Sequence, residues 1–536
     1  MRGPLFSPRD YLALERGTIV KDWGGRLAVA VIYPNSYYAG MSNLGIHALY
    51  RLLNCYSDVV AERIFWEGDR GKKLQSLESQ RPLADFSILA FSISYELDYF
   101  NVVKVLKAAG IPIYASERNE SHPLVIAGGA AVTANPRPMA PFLDCIGIGE
   151  AEVIVPPLVS LMTDCNSYGR DELLSRLALL PGVYVPRYHT EKPVIRQWLK
   201  DLNDFPVSSV VITPATELGN LYLIEVERGC NRGCLFCLVG ASFCPMRYRS
   251  LDTLLSQAKE GLKYRRRIGL VGPAVFDHPQ LEELVVGLRR LGAGLSISSL
   301  RVKPLSDTLL KNLAEGGVKT VAIAPEAGTL RLRQIIGKNI SDDDIIEAVD
   351  KLAGFRIKEI KLYFMIGLPS ENDEDAEAII NLSLKCKAAA DKRRNGCRLS
   401  LNIAPFVPKA GTPFQWLPMA STSVLKSRLD RIKNALAPKG IKAKGESLLY
   451  SQIQAVLSRG DERLEGIISG MEELSSSEWK RLVKKNETEV DYYAHQKWLL
   501  GESLPWEEID LGVSTGYLKE ELKKAFPEVC ANRDII

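Results

Sequence analysis

Residues 221–237 read Leu221-Tyr222-Leu223-Ile224-Glu225-Val226-Glu227-Arg228-Gly229-Cys230-Asn231-Arg232-Gly233-Cys234-Leu235-Phe236-Cys237. An apolar strand, Leu221 to Glu227, runs directly into a loop with three cysteines in the spacing CxxxCxxC. Three thiolates in so short a loop can each grip a different iron of a four-iron, four-sulfur cluster, which leaves the fourth iron free for another ligand. A structural zinc ion would ask for a fourth Cys or His at similar range. Cys244 is near and the chain has 5 His, so zinc stays open as an alternative. The other seven of the 10 cysteines are scattered in or beside apolar segments, which reads as metal spacing in a reducing compartment rather than a disulfide framework.

Outward from this loop the sequence alternates strand and helix. Strands are expected at Arg267 to Val271, Leu295 to Val302, Lys319 to Pro325, Ile360 to Ile366 and Arg398 to Ala404, with helical patterns between them such as Leu281 to Leu291 and Asp373 to Ala388. With Leu221 to Glu227 these make six β/α units, so the expectation for 217–435 is a partial (β/α) barrel whose active residues follow the strands. Before it, 181–216 is rich in proline (Pro181, Pro186, Pro193, Pro206, Pro214) and reads as a strap. Residues 1–180 alternate again, with strands at Leu27 to Tyr33, Phe86 to Ser94, Pro123 to Ala127 and Cys145 to Ile148 and helices at Asn43 to Leu53 and Tyr99 to Ala109. That pattern predicts a doubly wound, flavodoxin-like parallel sheet with its ligand edge at the strand C-termini. The charged, helical stretch 436–536 is expected to be a small accessory module, so the fold class is α/β in three parts.

The 536 residues, 46% hydrophobic and 25% charged, give ample core for more than one domain and exclude disorder, collagen and coiled coil. A net charge of +4 is too mild to demand a nucleic-acid partner. The basic runs Arg265-Arg266-Arg267 and Lys392-Arg393-Arg394 precede barrel strands, on the face opposite the expected site. No apolar run approaches the roughly 20 residues of a bilayer span, and Met1 to Asp10 lacks the apolar core of a secretion signal. The expected location is the cytoplasm.

CxxxCxxC after the first strand of a six-unit barrel, with an aromatic residue (Phe236) before the third cysteine, resembles the radical S-adenosylmethionine (SAM) superfamily. The resemblance implies that Cys230, Cys234 and Cys237 hold a 4Fe-4S cluster whose open iron binds the amino and carboxylate groups of SAM, and that an external donor such as flavodoxin or ferredoxin supplies the electron that cleaves SAM to a 5′-deoxyadenosyl radical. Gly272 and Pro273 stand where the family's Gly-rich turn approaches the methionyl group, without the usual acidic residue after them. Ser299, Arg301, Glu326, Arg331, Arg333 and Gly367, after the third, fourth and fifth strands, are the other expected SAM contacts. For each of Arg331 and Arg333 a solvated helix start is an equal alternative.

The amino-terminal part resembles the cobalamin-binding domain fused ahead of many radical SAM barrels. The segments that carry this are Pro34 to Gly45, Ser94-Tyr95-Glu96-Leu97, Gly128-Gly129 to Asn135-Pro136, and Gly147-Ile148-Gly149-Glu150. Ser94, Tyr95, Glu96, Gly128, Gly129, Asn135, Gly149 and Glu150 are the expected cobalamin contacts. The Asp-x-His-x-x-Gly ligand motif is missing from Pro34 to Gly40, and His47 reads as a packing or surface histidine, so the resemblance implies either cobalamin without a protein imidazole or an empty vestigial fold. Ser458 to Asp461 and Leu504-Pro505-Trp506 resemble segments of a largely uncharacterised cobalamin-type branch. The most concrete function implied is cobalamin-dependent methylation of an unactivated carbon on an unknown substrate. The alternatives are a radical rearrangement or cyclisation without methylcobalamin, and an iron-sulfur or SAM-binding module without turnover. A methylthiotransferase would carry a second three-Cys set near its amino terminus, where this chain has only the isolated Cys55, Cys145 and Cys165.

Overall fold

The structure, a computed structural model, describes residues 7–68, 74–164, 168–188, 192–297, 299–355 and 357–527. Met1 to Phe6, Cys165 and Ser298, the last within the expected third barrel strand, lie outside the described residues. The chain folds into two units: 1–220 with 457–490 and 503–512, and 221–456 with 491–502 and 513–536. Stretches of 436–536 therefore belong to both.

The first unit is a six-stranded sheet of β1 (Leu27–Tyr33), β2 (Val59–Phe65), β3 (Ile88–Ser92), β4 (Leu124–Gly128), β5 (Cys145–Gly147) and β6 (Val183–Tyr184). The order is β2-β1-β3-β4-β5-β6, all parallel except for the β5/β6 pair. This is the doubly wound arrangement expected, with the strand order reversing at β1/β3, where such sheets open a ligand crevice. Helix α1 (Leu44–Asn54) is capped by the Asn43 side chain on the Gly45 N–H, and α2 (Tyr99–Ala108) follows β3. Val29, Val31, Ile46, Tyr50, Leu53 and Val59 join in one buried cluster between sheet and helix.

Strand β2 was not expected, because Glu62 and Arg63 interrupt its apolar run. Both are buried with partners in place. Glu62 accepts from the Trp23 indole N–H at 2.8 Å, and Arg63 lies between Glu15 and Glu78 at 2.6 and 2.7 Å. A buried charge persists where paired and hydrogen-bonded, and truncating one member would leave its partner uncompensated. The strap contributes β6 and the short β7 (Val194–Ile195), which pairs in parallel with Ile509–Asp510 of the same unit.

In the second unit, β8 (Tyr222–Glu225) leads into the hairpin β9 (Glu227–Arg228) and β10 (Arg247–Tyr248). Strands β11 (Arg267–Val271), β12 (Gly294–Ile297), β13 (Thr320–Glu326), β14 (Glu359–Ile366), β15 (Arg398–Pro405) and β16 (Lys442–Gly445) follow, with helices between most of them. They form two parallel sheets, β12-β11-β8 and β13-β14-β15-β16. The Leu300 N–H donates to the Ala322 carbonyl at 2.8 Å, linking the segment after β12 to β13, and the barrel does not close. The six expected strands are present, and β16 adds a seventh beyond them. Helix α3 (Asp373–Lys392) begins at a reciprocal cap between Asn372 and Asp375, six residues beyond the end of β14.

Candidate functional site

The three cysteines lie in the connection between β9 and β10, and neighbouring turns hold that connection down. Gly229 (φ +85°) is required because a Cβ there would lie 2.5 Å from the Phe243 carbonyl oxygen. The Leu235 N–H donates to the Ile336 carbonyl at 3.1 Å, and a Cβ on Gly337 would meet the Gly233 oxygen at 2.6 Å. The turn that ends the short helix Leu330–Ile335, beyond the fourth barrel strand, thus buttresses the cysteine loop. Phe236 is half-buried beside the thiols. Burial pushes the thiols of Cys230, Cys234 and Cys237 up, Cys234 to about 11, and the three also act on one another electrostatically. Backbone N–H groups of Val239 and Gly240 donate to Cys237, offsetting part of its burial.

Among the described residues, no three His, Cys, Asp or Glu side chains converge as ligands of one metal ion. A cluster makes a different demand, one thiolate on each of three irons, and the donor set of three mutually interacting sulfurs in one loop fits it. Cys244 donates its S–H toward the Cys230 carbonyl, 3.7 Å away.

Acidic groups surround this loop. Glu326 ends β13 in the left-handed region (φ +68°), a strained place for a side-chain-bearing residue, and pairs with Lys338 at 3.0 Å. Both bear electrostatically on Cys234 and Cys237. Asp277, after β11, accepts from Arg232 of the cysteine loop at 2.9 Å and also pairs with Arg301. Glu227, only 1% exposed, accepts from the Ala274 N–H at 2.7 Å through Oε1, while its Oε2 has no partner. Burial pushes its carboxyl up to about 7, opposed by that N–H and reinforced by Glu225. Gly272 and Pro273 lie against Glu227: a Cβ on Gly272 would sit 2.2 Å from Oε1. Ser299 is half-buried after β12.

The remaining expected SAM residues divide. Arg333 is fully buried, and its guanidinium bonds the carbonyls of Ala327, Gly328 and Ile340 and pairs with Asp342. It braces the loop after Glu326 from beneath, and neither a solvated helix start nor a free ligand contact describes it. Arg331 is half-exposed and reaches Asp375 and the Ser370 carbonyl. Gly367 (φ +74°) gives its N–H to Glu371, which also holds Arg428 at 2.5 Å. Burial, offset by Arg428, pushes Glu371 up to about 7. This knot positions the turn after β14.

At the strand C-termini of the first unit, the loop after β1 meets the loop after β3. Asn35 donates to Asp98 at 2.9 Å there, and burial pushes Asp98 up to about 6. Tyr38, Ser94 and Tyr95 are exposed at this edge, while Glu96 is buried. This edge thus offers exposed aromatic faces and a hydroxyl to a ligand. Other expected contacts serve the chain itself. Gly129 (φ +118°) presses on Ile93, whose carbonyl oxygen would lie 2.4 Å from a Cβ, and Gly149 (φ +127°) presses on Gln197, whose carbonyl oxygen would lie 2.0 Å from one. Asn135 donates to the Ser458 and Gly460 carbonyls at 3.2 and 2.8 Å. Glu150 accepts from the Leu199 N–H at 3.0 Å. Gly128 has only ordinary contact, 3.7 Å from the Gly147 oxygen to a Cβ.

Sequence reading missed Glu227, Lys338, Asp277 and Glu371. Glu227 carried a signal, an acid facing inward on the strand before the cysteine loop. The other three depend on which turns fold together.

Comparison with known proteins comes down on the same features. Residues 45–186 match the family model described as radical SAM proteins, N-terminal, and 224–383 match that of the radical SAM superfamily. An uncharacterized protein of Methanocaldococcus jannaschii is 34% identical over 446 residues, 81% of this chain and 89% of the relative. An uncharacterized methyltransferase of Pyrococcus horikoshii is 27% identical over 274 residues, 49% of this chain and 58% of that protein. Among solved structures, the radical SAM methyltransferase TsrM from Kitasatospora setae, with cobalamin and a 4Fe-4S cluster bound, superposes with a TM-score of 0.53 at 10% identity, over 86% of this chain and 99% of that one. The cobalamin-dependent SAM radical enzyme OxsB, with aqua-cobalamin and SAM bound, gives 0.51 at 12% identity over 95% and 81%. At such identities the likeness is one of fold.

Proposed function

Because this chain belongs to the radical SAM superfamily, we propose that it cleaves SAM at a 4Fe-4S cluster held by Cys230, Cys234 and Cys237 and uses cobalamin to methylate an unactivated carbon. The observation that carries the reading is the loop itself, three interacting thiols clamped between the Ile336–Gly337 turn and the hairpin strands. When bound, the cluster with SAM supplies a carbon-centred radical and cobalamin carries the methyl group; that chemistry is the cofactors' own.

The chain's residues bind and position. The thiols lose their protons to metal, which their burial opposes and the N–H groups of Val239 and Gly240 assist. Ser299, Glu326 and the Gly272–Pro273 turn are the proposed SAM contacts, with Arg301 held by Asp277 and Gly367 held by Glu371. Arg333 positions the loop after Glu326, and Arg331 ties the helix that follows it to Ser370 and Asp375. Tyr38, Ser94, Tyr95 and Gly128 are the proposed cobalamin surface at the β1/β3 edge. TsrM and OxsB bind cobalamin on related folds, which supports the reading. We place residues 1–180 as the cobalamin part, 217–435 as the SAM part, the protein in the cytoplasm and a flavodoxin or ferredoxin as electron donor. No helix among the described residues is long and apolar enough to cross a membrane.

Anaerobic reconstitution with iron, sulfide and cobalamin, followed by mass spectrometry of SAM products under reduction, tests this. The expected result is 5′-deoxyadenosine together with S-adenosylhomocysteine that appears only when cobalamin is present. 5′-Deoxyadenosine alone would replace methylation by rearrangement or cyclisation, and no cleavage would leave a non-catalytic binding module.

A further inference from the structure

We propose that Glu227 accepts a hydrogen bond from the α-amino group of SAM, as an acid supplied by the strand leading into the cysteine loop in place of one after Gly272. The proposal rests on the radical SAM reading and adds to it a residue that neither the cysteine motif nor the Gly272 turn specifies. The carboxylate is 1% exposed, and its two oxygens differ sharply. Oε1 is satisfied by the Ala274 N–H at 2.7 Å; Oε2 is buried and has no hydrogen-bond partner. A buried carboxylate oxygen without a donor is costly to keep, so the site calls for a donor that the chain itself does not supply.

The surroundings define that donor. Among the described residues no cation pairs with Glu227: Arg228 and Arg249 reach Glu225, and Arg232 reaches Asp277. Glu326, the other acid at this end of the strands, is already paired with Lys338. Gly272 abuts the carboxylate with no side chain, and a Cβ there would fall 2.2 Å from Oε1. Pro273, between Gly272 and Ala274 in sequence, has no N–H to offer. The carboxylate also bears electrostatically on Cys230. An unpaired acid, cradled by a glycine and close to the first cysteine, suits the polarised N–H groups of a compact primary amine on a ligand that also approaches the cluster.

Equilibrium binding to the reconstituted, oxidised protein tests this without turnover. The probes are SAM and its desamino analogue, each measured on wild type and on Glu227→Gln, which keeps an acceptor for Ala274 but removes the charge. Loss of a charge-assisted contact should weaken SAM roughly ten- to hundredfold, while the analogue, having no amino group, should bind both proteins within about twofold. Unchanged SAM affinity, or equal weakening of both ligands, overturns the proposal and leaves Glu227 as a prop for the Gly272 turn. Should Glu227→Gln fail to assemble its cluster, Glu227→Asp, which draws the carboxylate back, replaces it: SAM weakened with the analogue unchanged supports the contact, and both ligands unchanged or equally weakened overturn it. Wild type that holds its cluster yet binds no SAM would sink the radical SAM reading itself, a separate outcome.

Discussion

The Cys244 thiol turns to the Cys230 carbonyl at 3.7 Å, while Cys230, Cys234 and Cys237 act on one another. Ala at any of those three should therefore abolish iron binding and 5′-deoxyadenosine formation with the fold kept, whereas Cys244→Ala should keep both. Iron analysis and product chromatography check this; iron lost in the Cys244 variant would mean four-thiol ligation. His47 makes a second residue-level prediction. Its Nδ1 accepts from the Val210 and Val211 N–H groups at 3.2 and 3.3 Å, so Nε2 carries the proton toward the Met41 carbonyl at 3.1 Å. Burial pushes its pKa down to about 4. The folded state thus binds fewer protons than the unfolded one between that value and the ordinary 6.5, and stability falls as pH drops through this window. At about 1.4 kcal/mol per pKa unit the loss is on the order of 3 kcal/mol. Chemical unfolding of His47→Ala should show its deficit at pH 7 narrowing toward pH 4. Its Co(II) paramagnetic resonance spectrum should match wild type, without nitrogen triplets in either; triplets that vanish in the variant would make His47 a ligand.

At the scale of elements, Asn135 joins the loop after β4 to the Ser458–Gly460 segment by two hydrogen bonds. Asn135→Ala should cost about 1–3 kcal/mol, measured by denaturation, with cobalamin stoichiometry unchanged. Cobalamin lost at unchanged stability would restore it as a contact. This residue shows where sequence reading stopped. The parallel strands were legible because each is an apolar run bounded by turn residues, and the cysteine loop because its spacing is local. Gly129 and Gly149 were legible as special positions, but their reason, the close approach of Ile93 and Gln197, lies in chain distant in sequence. Strand β2 hid behind Glu62 and Arg63, whose partners Trp23, Glu15 and Glu78 come from other segments. Arg331 and Arg333 show the same limit: two guanidiniums two residues apart, one half-exposed and the other fully buried. Pattern reveals what a residue can do, and partners decide which of those it does.

At the scale of the whole chain, neither unit is continuous in sequence, and this sets what can be cut. The second unit draws 491–502 and 513–536 back to 221–456. The Met419 N–H donates to the Ala494 carbonyl at 2.8 Å, the Trp498 N–H to the Trp416 carbonyl at 2.9 Å, and the Phe526 ring lies 5.8 Å from Phe414. Strand β16 covers the edge of β15 over Ser400 to Ile403. A fragment ending at 435 would lose that strand and those contacts, baring buried Trp416, Phe414 and Met419 and an unpaired parallel edge. Residues 1–180 alone would likewise lose the Arg137 pairs to Glu462 and Glu508 and the Lys107–Glu472 pair, along with the strap's β6. Solvent-exposed pairs count for little, but the stripped apolar surface does not. Fragments 1–180 and 217–435 should therefore aggregate or melt without cooperativity, whereas the intact chain melts cooperatively and assembles its cluster. Calorimetry and iron content after reconstitution read the difference. A 217–435 fragment that melts in one sharp transition and holds a full cluster would show that the carboxy-terminal returns are ornament rather than part of the barrel's core.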